Sequence, residues 1–325
     1  MNLIDVTREL ATEEQGFTFF EKMRWPDGVV RCTTCGCDHI CRITRKSVTK
    51  NVRKNLYQCL EPTCRLQFSV TSGTIFHDTR IPLTKWFMAI SIIMDAKKGV
   101  SALQLKQHLG LGSYQTAWHM THRIREAMKD TSGSKLTGVV EVDETYIGGK
   151  AKRRGGRARN QKPKTEKFDL VMGMRERSQP SEGIVGRVRY VHIPDGKKDS
   201  IRKAIEENIN PSVQGLYTDA AAVYDFSMDA EFRRRHRKVN HNIEWVVPGT
   251  SIHTNTVESS FSLLKRGLIG SFHRVSIKHL HRYLSEFEHR FNARKDEDRF
   301  RDLVIRLAQT SPLPYRTLVD GPTQA

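Results

Sequence analysis

Three acidic residues lie within or beside apolar segments, and together they could hold metal ions. Asp143 interrupts the run "VVEVDETYI", Asp219 ends the run "GLYTD", and Glu258 lies in "HTNTVESSFSLLKRG". Mg²⁺ takes carboxylate oxygens as ligands and retains several waters. Two such ions about 4 Å apart can activate an attacking hydroxyl and stabilise the departing oxygen of a phosphodiester. The pattern therefore predicts a two-metal phosphoryl-transfer site on these residues.

Two of the three acids also have a structural interpretation. Asp219 could cap a helix beginning at 220–222, since Asp is a preferred N-cap residue. Glu258 lies three residues after Asn255 and could be its partner in a capping pair. No capping role is available to Asp143, because it lies within an apolar strand. A charge at such a position is costly to bury.

The neighbours of Asp143 are acidic as well. Side chains alternate along a strand, so Asp143 shares a face with Glu141, while Glu144 points to the opposite face. The sequence leaves open whether Glu141 and Glu144 support the metal site or are merely solvated.

A lysine follows Glu258 at helical spacing. Lys265 is seven residues further on, which places both side chains on one helix face about 10 Å apart along the axis. The carboxylate could then hold a metal ion while the ammonium reaches a neighbouring phosphate.

The elements that would carry these residues follow from apolar periodicity. In the second half of the chain, the predicted elements indicate a mixed α/β domain. They are strands at 138–147, 168–175, 185–193 and 214–219, and helices at 199–209, 255–267 and 276–293. Upstream, the pattern predicts helices at 84–96, 101–109 and 113–129. The last two, joined by the glycine turn at 110–112, have the layout of a helix-turn-helix.

All six cysteines fall between Cys32 and Cys64, which predicts a metal site rather than scattered disulfides. The pairs Cys32-x2-Cys35 and Cys59-x4-Cys64 suit the four thiolates of a structural zinc ribbon. The wide second pair leaves the fourth ligand open, so the competing candidates are Cys37, His39 and Cys41.

The net charge of the chain predicts the kind of molecule that it binds. The chain has 54 Lys and Arg against 36 Asp and Glu, a net charge of +18, which favours a polyanion partner through release of counterions. The segment 150–167 carries nine basic residues and one Glu, and it is predicted to be a solvated or DNA-contacting loop. No apolar run is long enough to span a bilayer, so a cytoplasmic, nucleoid-associated protein without membrane partner is expected.

The residues together resemble a known family. The order Asp143, Asp219, Glu258 resembles that of the DDE transposases, and "VDETYIGG", "YTDAAAVY", "HTNTVESSFSLLKRG" and "HRYLSEFEHRFNAR" are similar to bacterial insertion-sequence transposases with an N-terminal zinc ribbon. This is the insertion-sequence family numbered fifteen ninety-five. The ribbon followed by "FSVTSGTIFHDTRIPLTKWF" belongs to the same pattern. The resemblance extends over roughly residues 15–295.

The resemblance implies a ribonuclease-H-like catalytic domain that cleaves at transposon ends and transfers their 3′-hydroxyls to target DNA with two Mg²⁺, for which Mn²⁺ can substitute. Asp143, Asp219 and Glu258 would be the metal ligands, and Lys265 would contact the transposon end. Partners would be the terminal inverted repeats and target DNA, bound by a homodimer or higher oligomer. The expected organisation is a helical segment 1–28, a zinc ribbon 29–80, a helix-turn-helix-like domain 81–132, the catalytic domain 137–295 and a tail 296–325.

Two alternatives stay open at this point. A structure-selective nuclease of the same fold would hydrolyse DNA without joining strands. A catalytically inactive regulator would bind DNA through the ribbon and the helix-turn-helix alone.

Overall fold

A computed structural model describes residues 1–43, 56–148, 169–179, 181, 185–226, 230–240, 243 and 245–320. The predicted basic loop 150–167 lies outside these residues. The chain divides into two compact units, Lys129–Arg294 and a unit formed by Met1–Met128 with Lys295–Ala325. Among the residues described, no helix combines the length and apolar character needed to cross a bilayer.

The first unit joins a small sheet to a helical core. Its strands β1 to β3 form one antiparallel sheet in chain order. The elements, in chain order, are α1 (Leu3–Glu9), α2 (Glu13–Arg24), β1 (Ile40–Ile43), β2 (Leu56–Cys59), β3 (Gln67–Ser69), α3 (Leu83–Asp95), α4 (Ala102–Leu109) and α5 (Tyr114–Ala127).

Helices α4 and α5 begin where the sequence predicts. The Ser101 hydroxyl accepts from the Gln104 amide, and the Gln104 side chain accepts from the Ser101 amide, so the predicted capping box is confirmed. Gly110 ends α4 with a φ of 57°, a backbone conformation that glycine adopts without a steric penalty. Ser113 then caps α5.

Helix α5 is mostly buried, which sequence periodicity did not predict. From Met120 to Arg125 every side chain is buried, and Tyr114 and Gln115 in the first turn are exposed. A recognition helix contacts bases chiefly with its N-terminal residues. The exposed side chains of α5 are therefore those of its first turn.

The segment expected as a C-terminal tail contains α11 (Arg299–Gln309) and α12 (Tyr315–Asp320). Helix α11 packs on α2, α3 and α5. Its Phe300 is buried, with its ring centroid 6.2 Å from that of Phe19 and 6.3 Å from that of Phe87. The apolar side chains of α11 thus complete the core of the first unit.

The second unit is a five-stranded mixed sheet with helices on both faces. Its strands are β4 (Val139–Ile147), β5 (Asp169–Glu176), β6 (Val188–Ile193), β7 (Gly215–Asp219) and β8 (His236–Val239), and its helices are α6 (Lys198–Asn208), α7 (Ala222–Phe226), α8 (Ala230–Arg235), α9 (Asn255–Gly267) and α10 (Ile277–Asn292). A π-helical turn, Leu268–Phe272, continues α9. Strand β8 was not predicted, because its four residues include His236, Arg237 and Lys238 and lack an apolar pattern.

The strand order is β6-β5-β4-β7-β8, with β4, β5 and β6 antiparallel and β4, β7 and β8 parallel. This is the order of a ribonuclease-H-like sheet, so the predicted mixed α/β fold class is confirmed. Strand β4 is central, and its period-two pattern supplies both faces of the sheet. Val140 and Val142 join the core beneath α6, while Glu141 and Asp143 share the face covered by α9.

Gly173 allows α9 to lie close to the sheet. It is the β5 residue paired with Asp143, and a Cβ at this position would lie 2.5 Å from Cζ of Phe261 and 3.2 Å from Cγ2 of Val257. Phe261 and Val257 are buried on α9, so the whole helix would have to move away to relieve the contact.

We therefore expect Gly173→Ala to lower the free energy of unfolding by about 1–3 kcal/mol through overpacking. Urea denaturation measures this difference. The matched control is Gly196→Ala, whose Cβ would meet Leu170 at 3.4 Å, an ordinary contact. Equal stability of the two variants would contradict close packing at Gly173.

Candidate metal centre and active-site groove

The four cysteines predicted as zinc ligands converge. The Sγ atoms of Cys32, Cys35, Cys59 and Cys64 all lie within 4.8 Å of one another. Two short turns present them: the Gly36 amide donates to the Cys32 carbonyl at 3.0 Å, and the Cys64 amide donates to the Glu61 carbonyl at 3.0 Å. Four sulfurs at this spacing fit the tetrahedral coordination of Zn²⁺.

The three competing candidates lie outside this cluster. The Sγ of Cys37 accepts a hydrogen bond from the His39 amide at 3.3 Å, and Cys41 is exposed on β1. Cys64 is thus the fourth member of the cluster despite the wide spacing of the second pair.

Three of the four predicted site residues of the second unit, Asp143, Glu258 and Lys265, line one groove of about 730 Å³. Asp143 comes from β4, and Glu258 and Lys265 come from α9. Lys265 is exposed, whereas the two carboxylates are half-buried. Arg266 also lines this groove, so the groove contains both anionic and cationic side chains.

Asp219 is the last residue of β7 and does not line this groove. Strands β4 and β7 are parallel, with Val139 opposite Gly215 and Glu141 opposite Tyr217. Besides burial, the charges of Asp143 and Asp219 both raise the pKa of Glu144, so both carboxylates lie near that side chain. One Asp219 oxygen accepts from the Ala221 amide at 3.0 Å just before α7, so the capping interpretation of Asp219 has a basis in the structure.

The three carboxylates are spread more widely than the cysteines. Within the described part of the chain, the cysteines are the group of three or more His, Cys, Asp or Glu whose donor atoms all lie within 4.8 Å of one another. Asp143, Asp219 and Glu258 form no group of that tightness.

Glu144 points away from α9 and towards Tyr224. The Tyr224 hydroxyl donates to the Glu144 carboxylate at 2.5 Å, and Tyr224 is fully buried. Burial raises the pKa of Glu144 to about 7, and the charges of Asp143 and Asp219 act in the same direction. Glu144 is thus a partly buried, hydrogen-bonded carboxyl group beside the predicted site.

Glu141 is buried, and both of its carboxylate oxygens have partners. Its side chain has no solvent exposure, and one oxygen lies 2.6 Å from Nε of Arg177. The other oxygen accepts from the backbone amides of Thr256 and Val257 at 2.8 and 3.0 Å. These amides belong to the first turn of α9, so Glu141 caps this helix from the neighbouring strand.

Arg177 was not singled out in the sequence, because it lies beyond the end of a strand with no motif around it. Its NH1 and NH2 groups donate to the carbonyls of Ser251 and His253 at 2.6 and 2.9 Å. The His253 ring nitrogen Nδ1 lies 3.3 Å from Glu141. Burial, and then the charge of Arg177, lowers the pKa of His253, which favours its neutral form.

Glu258 is oriented by the residue that precedes its helix. Helix α9 begins at Asn255, so Thr254 is the N-cap and Glu258 cannot be the third-residue partner of an Asn255 cap. The Thr254 side chain makes no capping bond to the backbone. Its hydroxyl donates instead to the Glu258 carboxylate at 3.2 Å. The capping-pair interpretation of Glu258 is therefore wrong.

Comparison with known proteins agrees with this combination of sites. A family model described as an ISXO2-like transposase domain matches residues 135–292, and one described as a transposase zinc-ribbon domain matches residues 11–67. The chain is therefore similar to insertion-sequence transposases in both its zinc-ribbon segment and its transposase domain.

A related protein comes from an archaeon. The chain is 27% identical over 293 residues to an uncharacterized protein in transposable element ISH50 of Halobacterium salinarum, covering 86% of this chain and 91% of that protein. No solved structure matches the chain significantly.

Proposed function

We propose that the protein binds the terminal inverted repeats of its insertion sequence, cleaves at the transposon ends and joins their 3′-hydroxyls to target DNA. The observation that carries this proposal is the groove in which Asp143 of β4 faces Glu258 and Lys265 of α9, with Asp219 at the adjoining strand end. Carboxylates from two parallel strands and one helix would act together at this site.

The residues present suit Mg²⁺ or Mn²⁺, since hard cations take carboxylate oxygens. Asp143, Asp219 and Glu258 would hold the ions. When bound, two ions activate the attacking hydroxyl and stabilise the leaving oxygen. The protein's own carboxylates would supply the negative charge of the ligands and hold the ions in position.

Cations of α9 supply the complementary charge for DNA. Lys265 lies in the groove with an exposed ammonium group, suited to a phosphate next to the scissile one. The guanidinium of Arg266 is held by the Ser262 carbonyl at 3.1 Å and its hydroxyl at 3.0 Å. The net charge of +18 adds sequence-independent attraction for the duplex.

We assign end recognition to the first unit. The zinc cluster would hold the ribbon in shape, and the exposed first turn of α5, with Tyr114 and Gln115, would contact base edges. Joining two transposon ends requires two active sites, so a homodimer or larger assembly on DNA is expected.

Strand transfer tests the proposal. Purified protein with Mg²⁺ or Mn²⁺ is expected to join a pre-cut terminal repeat carrying a 3′-hydroxyl to a supercoiled plasmid, measured as labelled plasmid on a gel. The control is the same repeat ending in a dideoxynucleotide, which has no attacking hydroxyl and should give no joint product.

The other outcomes distinguish the alternatives. Hydrolysis without joining would favour the structure-selective nuclease. Binding of the repeat without cleavage or joining, in either metal, would favour the inactive regulator.

A further inference from the structure

We infer that Glu141 and Arg177 are positioning residues that set the distance between Asp143 and Glu258. This inference rests on the proposed function, because it assigns the pair to the same site. Neither residue lines the groove. They act through the two elements that carry the carboxylates.

The first step in the argument is geometric. Glu141 and Asp143 are two residues apart on the same face of β4, so their side chains point in the same direction. Glu141 accepts from the amides of Thr256 and Val257, and Glu258 is the next residue of α9. One buried side chain therefore connects the strand position of Asp143 to the helix turn of Glu258.

The second step concerns the N-cap. The first amides of a helix usually receive a hydrogen bond from the N-cap side chain. In α9 the Glu141 carboxylate takes this place, and the Thr254 hydroxyl donates to Glu258 instead. The capping carboxylate thus leaves Thr254 available to orient Glu258.

The third step concerns Arg177. Its guanidinium lies 4.9 Å from the centroid of the Tyr217 ring on β7, which holds it against the sheet. From there it pairs with Glu141 and binds the carbonyls of Ser251 and His253, the residues that lead into α9. The charge of Arg177 compensates the buried carboxylate of Glu141. Its guanidinium donates to two carbonyls at once and so holds the segment that precedes α9.

A second buried pair in the same unit provides a matched control. Glu176 is 4% exposed, lies 2.7 Å from NH2 of Arg187 and accepts from the Thr137 amide at 2.6 Å. It resembles Glu141 in burial and bonding but makes none of its hydrogen bonds to α9. Glu176→Gln should therefore reduce stability as Glu141→Gln does, without affecting the groove.

The first readout needs no substrate. Hydrogen exchange followed by mass spectrometry should show faster exchange in the segment 254–260 of Glu141→Gln, by about tenfold at residues 256 and 257, because a neutral amide replaces a charged acceptor. Glu176→Gln should exchange as the wild type does in this segment.

The second readout is the Mn²⁺ requirement. Partners that orient a metal ligand typically contribute about tenfold or more to metal affinity or activity, so Glu141→Gln should need about tenfold more Mn²⁺ for half-maximal strand transfer. Binding of Mn²⁺ to the protein, followed by electron paramagnetic resonance, should weaken in parallel. Both measurements on Glu176→Gln should match the wild type.

Arg177→Lys provides a second variant if Glu141→Gln fails to fold. It keeps the positive charge but loses the guanidinium that binds the carbonyls of Ser251 and His253. We therefore expect it to raise the Mn²⁺ concentration needed for half-maximal strand transfer, as Glu141→Gln does. Absence of strand transfer by the wild type would refute the proposed function, while exchange and Mn²⁺ binding would still test the positioning pair. The inference is overturned if both variants match Glu176→Gln in exchange and in Mn²⁺ binding.

Discussion

Asp143→Asn is expected to abolish strand transfer while leaving DNA binding intact. The change removes the charge of a proposed metal ligand and alters its volume very little. Metal ions stabilise charge in the transition state by several kcal/mol, and about 1.4 kcal/mol corresponds to a tenfold change in rate. We therefore expect the rate of strand transfer to fall by about a thousandfold or more. It is measured as the amount of repeat joined to plasmid per amount of protein.

Three accompanying measurements separate a catalytic from a structural role. The affinity for the terminal repeat should stay within about threefold of the wild type, since phosphate contacts dominate affinity. The melting temperature should change little, because Asp143 is only half-buried. Asp199→Asn, an exposed carboxylate on α6 in the same unit, is the control and should join strands normally. A variant that transfers strands at the wild-type rate would refute the assignment of Asp143.

The second large effect is expected at the zinc cluster. Cys32→Ser should remove about one equivalent of zinc and unfold the ribbon, because structural zinc contributes roughly 10–16 kcal/mol in small zinc domains. Where the structure describes the ribbon, its sheet consists of three short strands, with Tyr57, Cys59 and Phe68 as their buried residues. Without the metal such a small core cannot offset the entropy of ordering the chain.

Zinc content by elemental analysis and limited proteolysis of the segment 29–80 measure this prediction. Cys41→Ser is the matched control, since Cys41 is exposed and outside the cluster. It should retain zinc and protease resistance. Unchanged zinc content in Cys32→Ser would contradict the four-cysteine assignment.

Zinc loss should stay local although the ribbon contacts helix α2. The Tyr57 hydroxyl donates to the Glu21 carboxylate of α2 at 2.5 Å, and Arg42 binds the same oxygen at 2.9 Å. The helices of the first unit have their own core around Trp86, Phe87 and Phe300. We expect the helical signal of Cys32→Ser in circular dichroism to persist.

Residue types and periodicity were enough to predict several parts of this protein. Alternating apolar residues placed β4 correctly, helical spacing placed α9, and Cys spacing indicated the zinc cluster. These features depend on neighbours within a few positions along the chain, which is why a single sequence contains them. The acidic triad remains a prediction from sequence, supported by the groove that Asp143 and Glu258 share.

Other features depend on contacts between distant residues. The partner of Glu141 is Arg177, and its hydrogen-bond donors lie 115 and 116 residues away on α9, so no local pattern could distinguish it from a solvated acid. Strand β8 is defined by pairing with β7 rather than by apolar residues, and α11 is placed by the core that it completes.

The stretch "VVEVDETYI" contains both kinds of information. By itself it determined a buried strand with an acidic residue on each face, because alternation and the cost of buried charge are local properties. Only the tertiary structure decided that Glu141 caps α9, that Asp143 opens into the groove and that Glu144 binds Tyr224. The physical reason is that a carboxylate takes its role from the donors brought to it, and those donors come from elements far away in the chain.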